Sequence, residues 1–153
     1  MGLLKNKITI VTGGARGIGK AVARQFSDEG ARVIITDINE NSGIKTADSI
    51  GGYFFKADIS DEKNVKSLFE HVKAEFSKLD ILVNNAGITK DNVFLRMQKD
   101  QWDDVINVNL NSNFFLTKLV IKGMIKKRWG RIVNITSVAV SYTHLRAHET
   151  LRY

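Results

Sequence analysis

Ile8-Thr9-Ile10-Val11-Thr12-Gly13-Gly14-Ala15-Arg16-Gly17-Ile18-Gly19 is the stretch on which the fold turns. Its first five residues are apolar or β-branched and run straight into glycines, which predicts a short buried strand. Beyond the glycines, Ile18, Val22, Ala23 and Phe26 recur at helical spacing and Gly30 supplies a stop, so residues 17–29 are predicted as a helix. Strand, glycine turn and helix in direct succession aim backbone N–H groups at an anion, and glycines let a pyrophosphate come close. Gly13, Gly14, Ala15, Arg16, Gly17, Ile18 and Gly19 are therefore the first candidate binding residues. The spacing is G-x-x-x-G-x-G, not G-x-G-x-x-G.

Working outward, apolar runs and amphipathic stretches alternate. Val33-Ile34-Ile35-Thr36 reads as a second strand, residues 40–50 as a weaker helix, and Tyr53-Phe54-Phe55 as the start of a third strand. Residues 62–76 carry Val65, Leu68, Phe69, Val72 and Phe76 on one helical face, with Ser60 and Asp61 as candidate caps. Ile81-Leu82-Val83 is a fourth strand, a long helix covers roughly 101–127, and residues 131–136 form a fifth strand. Regular alternation with fully apolar strands predicts an α/β fold: a Rossmann-like, doubly wound parallel sheet with ligands at the carboxyl ends of its strands. The long helix is apolar nearly all round, from Phe114 and Phe115 to Met124 and Ile125. One face can cover the sheet; the other needs a second partner, with a subunit interface favoured over burial within the domain.

Composition narrows the classes. Hydrophobic residues at 43% and charged residues at 25% are ordinary for a soluble globular protein. With no cysteine and three scattered histidines, neither a disulfide framework nor a metal site is expected; His144 and His148 stand four apart but lack a third ligand. No apolar run approaches the ~20 residues of a membrane span, and the N-terminus has no signal-peptide pattern, so a cytoplasmic location is expected. The net charge of +7 sits in residues 105–153, where eight Lys/Arg face Glu149 alone. Nucleic acid is not an expected partner, because no recognition motif interleaves aromatic and basic residues.

Three further positions could line a dinucleotide. Asp37 ends the second strand, 18 residues after Gly19. A carboxylate there can accept hydrogen bonds from an adenosine ribose and repel a 2′-phosphate, which favours NAD, or it can cap a helix. Arg16 argues the other way, since a guanidinium can hold that phosphate and so favour NADP. Asp58, after the third strand, could bond adenine together with the Ile59 backbone, or act as a cap. Asn84-Asn85-Ala86-Gly87 ends the fourth strand; small residues leave room for a cofactor while amides stitch strand ends together.

Taken together, Thr12-Gly13, Gly17-Ile18-Gly19, Asp58, Asn84-Asn85-Ala86-Gly87, Asn109 in Asn107-Val108-Asn109, and Ser137 resemble the successive signatures of short-chain dehydrogenases/reductases, from about residue 5 to 138. Ala86-Gly87-Ile88-Thr89-Lys90-Asp91-Asn92 and Lys126-Lys127-Arg128-Trp129-Gly130-Arg131-Ile132 resemble more narrowly the 3-oxoacyl-[acyl-carrier-protein] reductases of that family. The resemblance implies NADP(H) or NAD(H) as cofactor and itself favours NADP(H); it further implies an acyl carrier protein thioester as substrate and a homotetramer. It implies that Ser137 hydrogen-bonds the substrate carbonyl and that Asn109 anchors a water in a proton relay. Arg128, in a basic corner, is the candidate contact for the acidic carrier protein.

The resemblance also implies a Tyr-x-x-x-Lys proton donor well beyond the Ser, and the sequence departs from it. Tyr142 follows Ser137 by only five residues and has Arg146 four residues on. Residues 1–140 are therefore expected to be an incomplete dinucleotide-binding domain lacking the family's C-terminal strands and helices. Residues 141–153 are expected to be a non-native tail resembling translated adapter sequence. The 153-residue chain is expected to bind a dinucleotide without turnover; another short-chain dehydrogenase acting on a sugar, polyol or small alcohol is the alternative reading.

Overall fold

A computed structural model of the chain describes residues 2–136, so Ser137 and the 141–153 tail lie outside the described residues. The elements run β1 (Ile8–Thr12), α1 (Gly17–Asp28), β2 (Arg32–Asp37), α2 (Glu40–Ile50), β3 (Tyr53–Lys56), α3 (Glu62–Phe76), β4 (Ile81–Asn84), a 3-10 turn (Phe94–Arg96), α4 (Lys99–Ile106), a π turn (Asn107–Asn111), α5 (Ser112–Lys126) and β5 (Arg131–Asn134). The five strands form one parallel sheet in the order β3-β2-β1-β4-β5. This is the doubly wound α/β architecture expected, with the order reversing between β1 and β4.

Strand alternation divides the core in two. Ile10, Ile34 and Leu82 point to one face, where Leu68 and Val72 of α3 and Leu116, Val120 and Met124 of α5 cover them. Val11, Val33, Ile35 and Val83 point to the other, against Ala23 of α1 and Ala47 of α2. Caps set the helix starts: Asn39 accepts the Ser42 N–H for α2, and Asp61 accepts the Lys63 N–H for α3. Asp61, not Ser60, is thus the cap of α3.

The helix expected over 101–127 is divided. Asn107–Asn111 form a π turn between α4 and α5. Polar side chains there bond back to main-chain carbonyls: Ser112 Oγ donates to Val108 O at 2.6 Å and Asn113 Nδ2 to Asn109 O at 2.8 Å. Such back-bonding supplies donors where the i→i−4 ladder is interrupted. The sequence pattern missed the turn because its apolar positions continue across it.

At the amino ends of the strands, buried Asp80 joins four elements. Its Oδ2 accepts the Ile8 N–H at 3.0 Å and lies 3.1 Å from Lys78 Nζ, and its Oδ1 accepts from Lys127 Nζ at 2.9 Å. Its N–H donates to Ile8 O and its carbonyl accepts from Arg131 N–H. Burial pushes the Asp80 carboxyl up, but the Lys127 ammonium, the Ile8 N–H and the Lys78 ammonium outweigh it and hold the carboxyl below the ordinary carboxylate range. Among the described residues, no helix is long and apolar enough to cross a membrane.

Candidate functional site

The glycine loop lies at the carboxyl end of β1, at the point where the strand order reverses. Its shape requires glycine at specific places. Gly13 and Gly17 take left-handed conformations, with φ of 61° and 55°. A Cβ on Gly19 would stand 2.2 Å from Gly13 O, so α1 can start this close to β1 only without a side chain there. A Cβ on Gly17 would meet nothing within 4 Å, so it is the left-handed backbone there that calls for glycine. Arg16, at the N-cap of α1, supplies no side-chain cap, which leaves the helix start to its bare N–H groups. Arg16, Gly17 and Ile18 are exposed. An open, uncapped helix start lined by glycine fits the diphosphate of a dinucleotide.

The loop is held from three sides. Thr12 Oγ1 accepts the N–H groups of Asn85 and Ala86, each at 3.0 Å. Asn85 Nδ2 donates back to Thr12 O at 2.9 Å and Gly13 O at 3.1 Å. These bonds lock the end of β4 to the start of the loop. From β2, Asp37 Oδ2 accepts the Ala15 N–H at 3.2 Å while its Oδ1 accepts the Asn39 N–H at 3.0 Å. Asp37 is therefore not the cap of α2, a role Asn39 fills. From α2, buried Thr46 donates its hydroxyl to Ala15 O at 2.9 Å.

Thr12, Thr36, Asn84 and Asn134 form a transverse row on one face of the sheet near its carboxyl edge. Thr12 pairs with Thr36 and Asn84 with Asn134 in the strand register, and Val11 with Val83 just before them. Asn84 Nδ2 donates to Asn134 Oδ1 at 2.8 Å. Thr36 Oγ1 and Asn84 Oδ1 are buried without a protein partner among the described residues.

Asp58 accepts from both the N–H and the hydroxyl of Ser60 through Oδ1, at 2.9 and 2.7 Å, and stays exposed. Ile59 turns its side chain into the core, leaving its backbone as the group that could meet a ligand. Asn109, carried by the π turn, grips the loop after β4: its Oδ1 accepts the Ile88 N–H and its Nδ2 donates to Ile88 O, both at 2.9 Å. Lys90 of the same loop pairs with Asp104 of α4, and that hydrogen bond holds the Lys90 ammonium above its ordinary value.

The structure thus brings Gly13 to Gly19, Asp37, Asn85, Ala86, Gly87 and Asn109 to the carboxyl ends of the strands, with Asp58 and Ile59 after β3. Ser137 lies outside the described residues. Arg128 is carried elsewhere: α5 runs antiparallel to the strands, so Arg128 stands by the start of β5, roughly 20 Å of helix from Ser112. Two loop-holding residues escaped the sequence reading. Thr12 sat inside the quoted motif, and its hydroxyl is the signal that could have found it. Thr46 has no local signal, because its partner is 31 residues away.

The sequence model of the short chain dehydrogenase family matches residues 7–147. The 3-oxoacyl-[acyl-carrier-protein] reductase FabG of Salmonella typhimurium is 46% identical over 136 residues, 88% of this chain and 56% of that protein. The FabG proteins of Escherichia coli K12, at 45% over 136 residues, and Haemophilus influenzae, at 42% over 144, cover 88% and 90% of this chain and 56% and 58% of their own lengths. The chain therefore spans rather more than half the length of these curated relatives.

Proposed function

The chain belongs to the short chain dehydrogenase family, and on that premise we propose that it forms the dinucleotide-binding part of a cytoplasmic reductase acting on 3-oxoacyl groups carried by acyl carrier protein. The observation that carries this reading is the glycine loop at the strand-order reversal, cross-linked to the end of β4 through Thr12 and Asn85. The backbone from Gly13 to Gly19 would hold the pyrophosphate. Asp37 would meet the adenosine ribose, Asp58 and the Ile59 backbone the adenine, and Asn85, Ala86 and Gly87 the nicotinamide side. The dinucleotide, when bound, supplies the hydride. Ser137 would hydrogen-bond the substrate carbonyl. Asn109, with both polar side-chain atoms committed to Ile88, would fix the loop that closes the site and offer its surroundings to a water.

Proton donation is assigned to a Tyr and Lys pair that the 153 residues do not contain in Tyr-x-x-x-Lys form. For this chain the proposal is binding without turnover, with residues 1–140 as the native domain. Two bonds anchor the Asp37 charge beside the loop, which supports NADH over NADPH despite Arg16. Titration of the chain with each cofactor by calorimetry tests this. The expected result is NADH bound at least about tenfold more tightly, because Asp37 meets a ribose hydroxyl in one case and a phosphate in the other. An NADPH preference would remove the assignment of Asp37, and failure to bind either would remove the dinucleotide reading.

Assembly into a homotetramer is proposed through the outer face of α5, where Phe114, Ile121 and Ile125 are exposed. Carrier-protein docking is proposed at Arg128. Because Arg128 lies at the far end of α5 from its own loop, docking there fits delivery to another copy packed along α5. In the enzyme complete with its proton donor, R128E should raise KM for carrier-bound substrate far more than for a small thioester. Equal effects on the two would exclude docking at that residue.

A further inference from the structure

The geometry points to Thr46 as a positioning residue for the pyrophosphate loop, an inference that rests on the dinucleotide reading above. Two successive peptide units of the loop are each held by one side chain. Asp37 fixes the Gly14–Ala15 unit by accepting the Ala15 N–H at 3.2 Å. Thr46 fixes the Ala15–Arg16 unit by donating to Ala15 O at 2.9 Å. Thr46 is 2% exposed and Ala15 is 4% exposed, so water does not compete for this bond.

The consequence follows from peptide planarity. Among the described residues every peptide is trans, and in a trans unit the carbonyl and the next N–H point in opposite directions. Drawing the Ala15 carbonyl down toward α2 therefore turns the Arg16 N–H away from α2. Arg16 is exposed, and its N–H meets no protein acceptor among the described residues. It stands at the N-cap of α1 with extended φ and ψ, immediately before the helix N–H groups that have no cap. Turning this unit over rotates Ala15 ψ and Arg16 φ, and the Thr46 bond restrains both from the α2 side. A flip would swing the Arg16 N–H inward and present a carbonyl oxygen where an anion is to be received. The Thr46 hydroxyl prevents this from outside the glycine motif.

The test compares T46V, which keeps the shape and removes the donor, with T46S, which keeps the donor, in the full 153-residue chain. NADH and adenosine are titrated by calorimetry, and the Arg16 amide is followed by 15N NMR without ligand. T46V is expected to weaken NADH about tenfold, the worth of one well-aimed hydrogen bond to a charged group. It should also move the Arg16 amide resonance and leave adenosine affinity unchanged, while T46S stays within about twofold of wild type. T46A also lacks the hydroxyl, carries the same expectation, and serves where T46V does not fold. T46V binding NADH as wild type does, or T46S as weak as T46V, would overturn the role of the hydroxyl. Wild type binding neither NADH nor NADPH would instead overturn the dinucleotide reading, and Thr46 with it.

Discussion

Replacing Asp80 by Asn should unravel the lower end of the sheet. The Asp80 side chain is 5% exposed and its two oxygens serve three donors: the Ile8 N–H, Lys78 and Lys127. Asn keeps the size and one acceptor but loses the charge, and it sets an amide NH2 against an ammonium. Removing one partner of a buried pair costs about 3–5 kcal/mol. Lys127 and Lys78 retain 31% and 42% exposure and can return to water, which reduces the expected cost to about 2–3 kcal/mol. Against the 5–15 kcal/mol typical of a domain, that is a large share. With a urea slope of about 2 kcal/mol/M, the midpoint should fall by roughly 1 M. A cycle with K127M should show coupling of at least about 1 kcal/mol. Acid adds a second reading. The folded Asp80 carboxyl lies below its unfolded value, so its contribution is complete above the unfolded value and is lost as pH falls through the folded one. The gap between wild type and D80N should stay constant from about pH 8 to pH 5 and shrink below about pH 4. A D80N midpoint within about 0.5 kcal/mol of wild type, or a gap that persists in acid, would refute the reasoning.

Three more perturbations address the site and the outer helix. G19A places a Cβ 2.2 Å from Gly13 O and 2.5 Å from Asn85 Nδ2; forcing that contact should cost about 1–3 kcal/mol and abolish NADH binding measurable by calorimetry. N109A removes both bonds to Ile88, and hydrogen exchange at the Ile88 amide should accelerate about tenfold or more. I125E puts a charge on a residue that is 68% exposed. It should leave the thermal midpoint nearly unchanged and convert any oligomer seen by sedimentation to monomer.

What the sequence made legible is what depends on local pattern. The runs at 8–12, 33–36, 53–55 and 81–83 are β-branched or aromatic apart from Leu82 and are bounded by turns, and they became the first four strands. Of the stripe Val65, Leu68, Phe69, Val72 and Phe76, all but Phe69 became the buried face of α3, and Phe69 packs half-buried at its edge. The glycine loop was legible because strand, glycine and helix adjoin in the chain. What failed to show depends on partners distant in sequence or on the phase of a helix. Thr46 meets Ala15 across 31 residues and Lys127 meets Asp80 across 47. Lys127 looked like one cation of a basic corner, yet it supports the sheet from beneath. Arg128 was legible as part of a basic corner, but its distance from the glycine loop follows only from the direction of α5. The commitment of Asn109 to Ile88 was hidden because the turn that aims it has the same apolar spacing as the helices around it.

That turn has a bearing on how the protein can change. A π turn closes i→i+5 rings and so stores one residue more than an α turn. The surplus is absorbed inside residues 107–111, and the helices on either side need not rotate by the roughly 100° that an extra residue would otherwise impose. Ser112, Leu116, Val120 and Met124 keep their seat on the sheet. Lineages can therefore gain or lose a residue at this point without disturbing the core. What they alter is which side chain reaches the Ile88 backbone, and so how firmly the segment over the site is fastened.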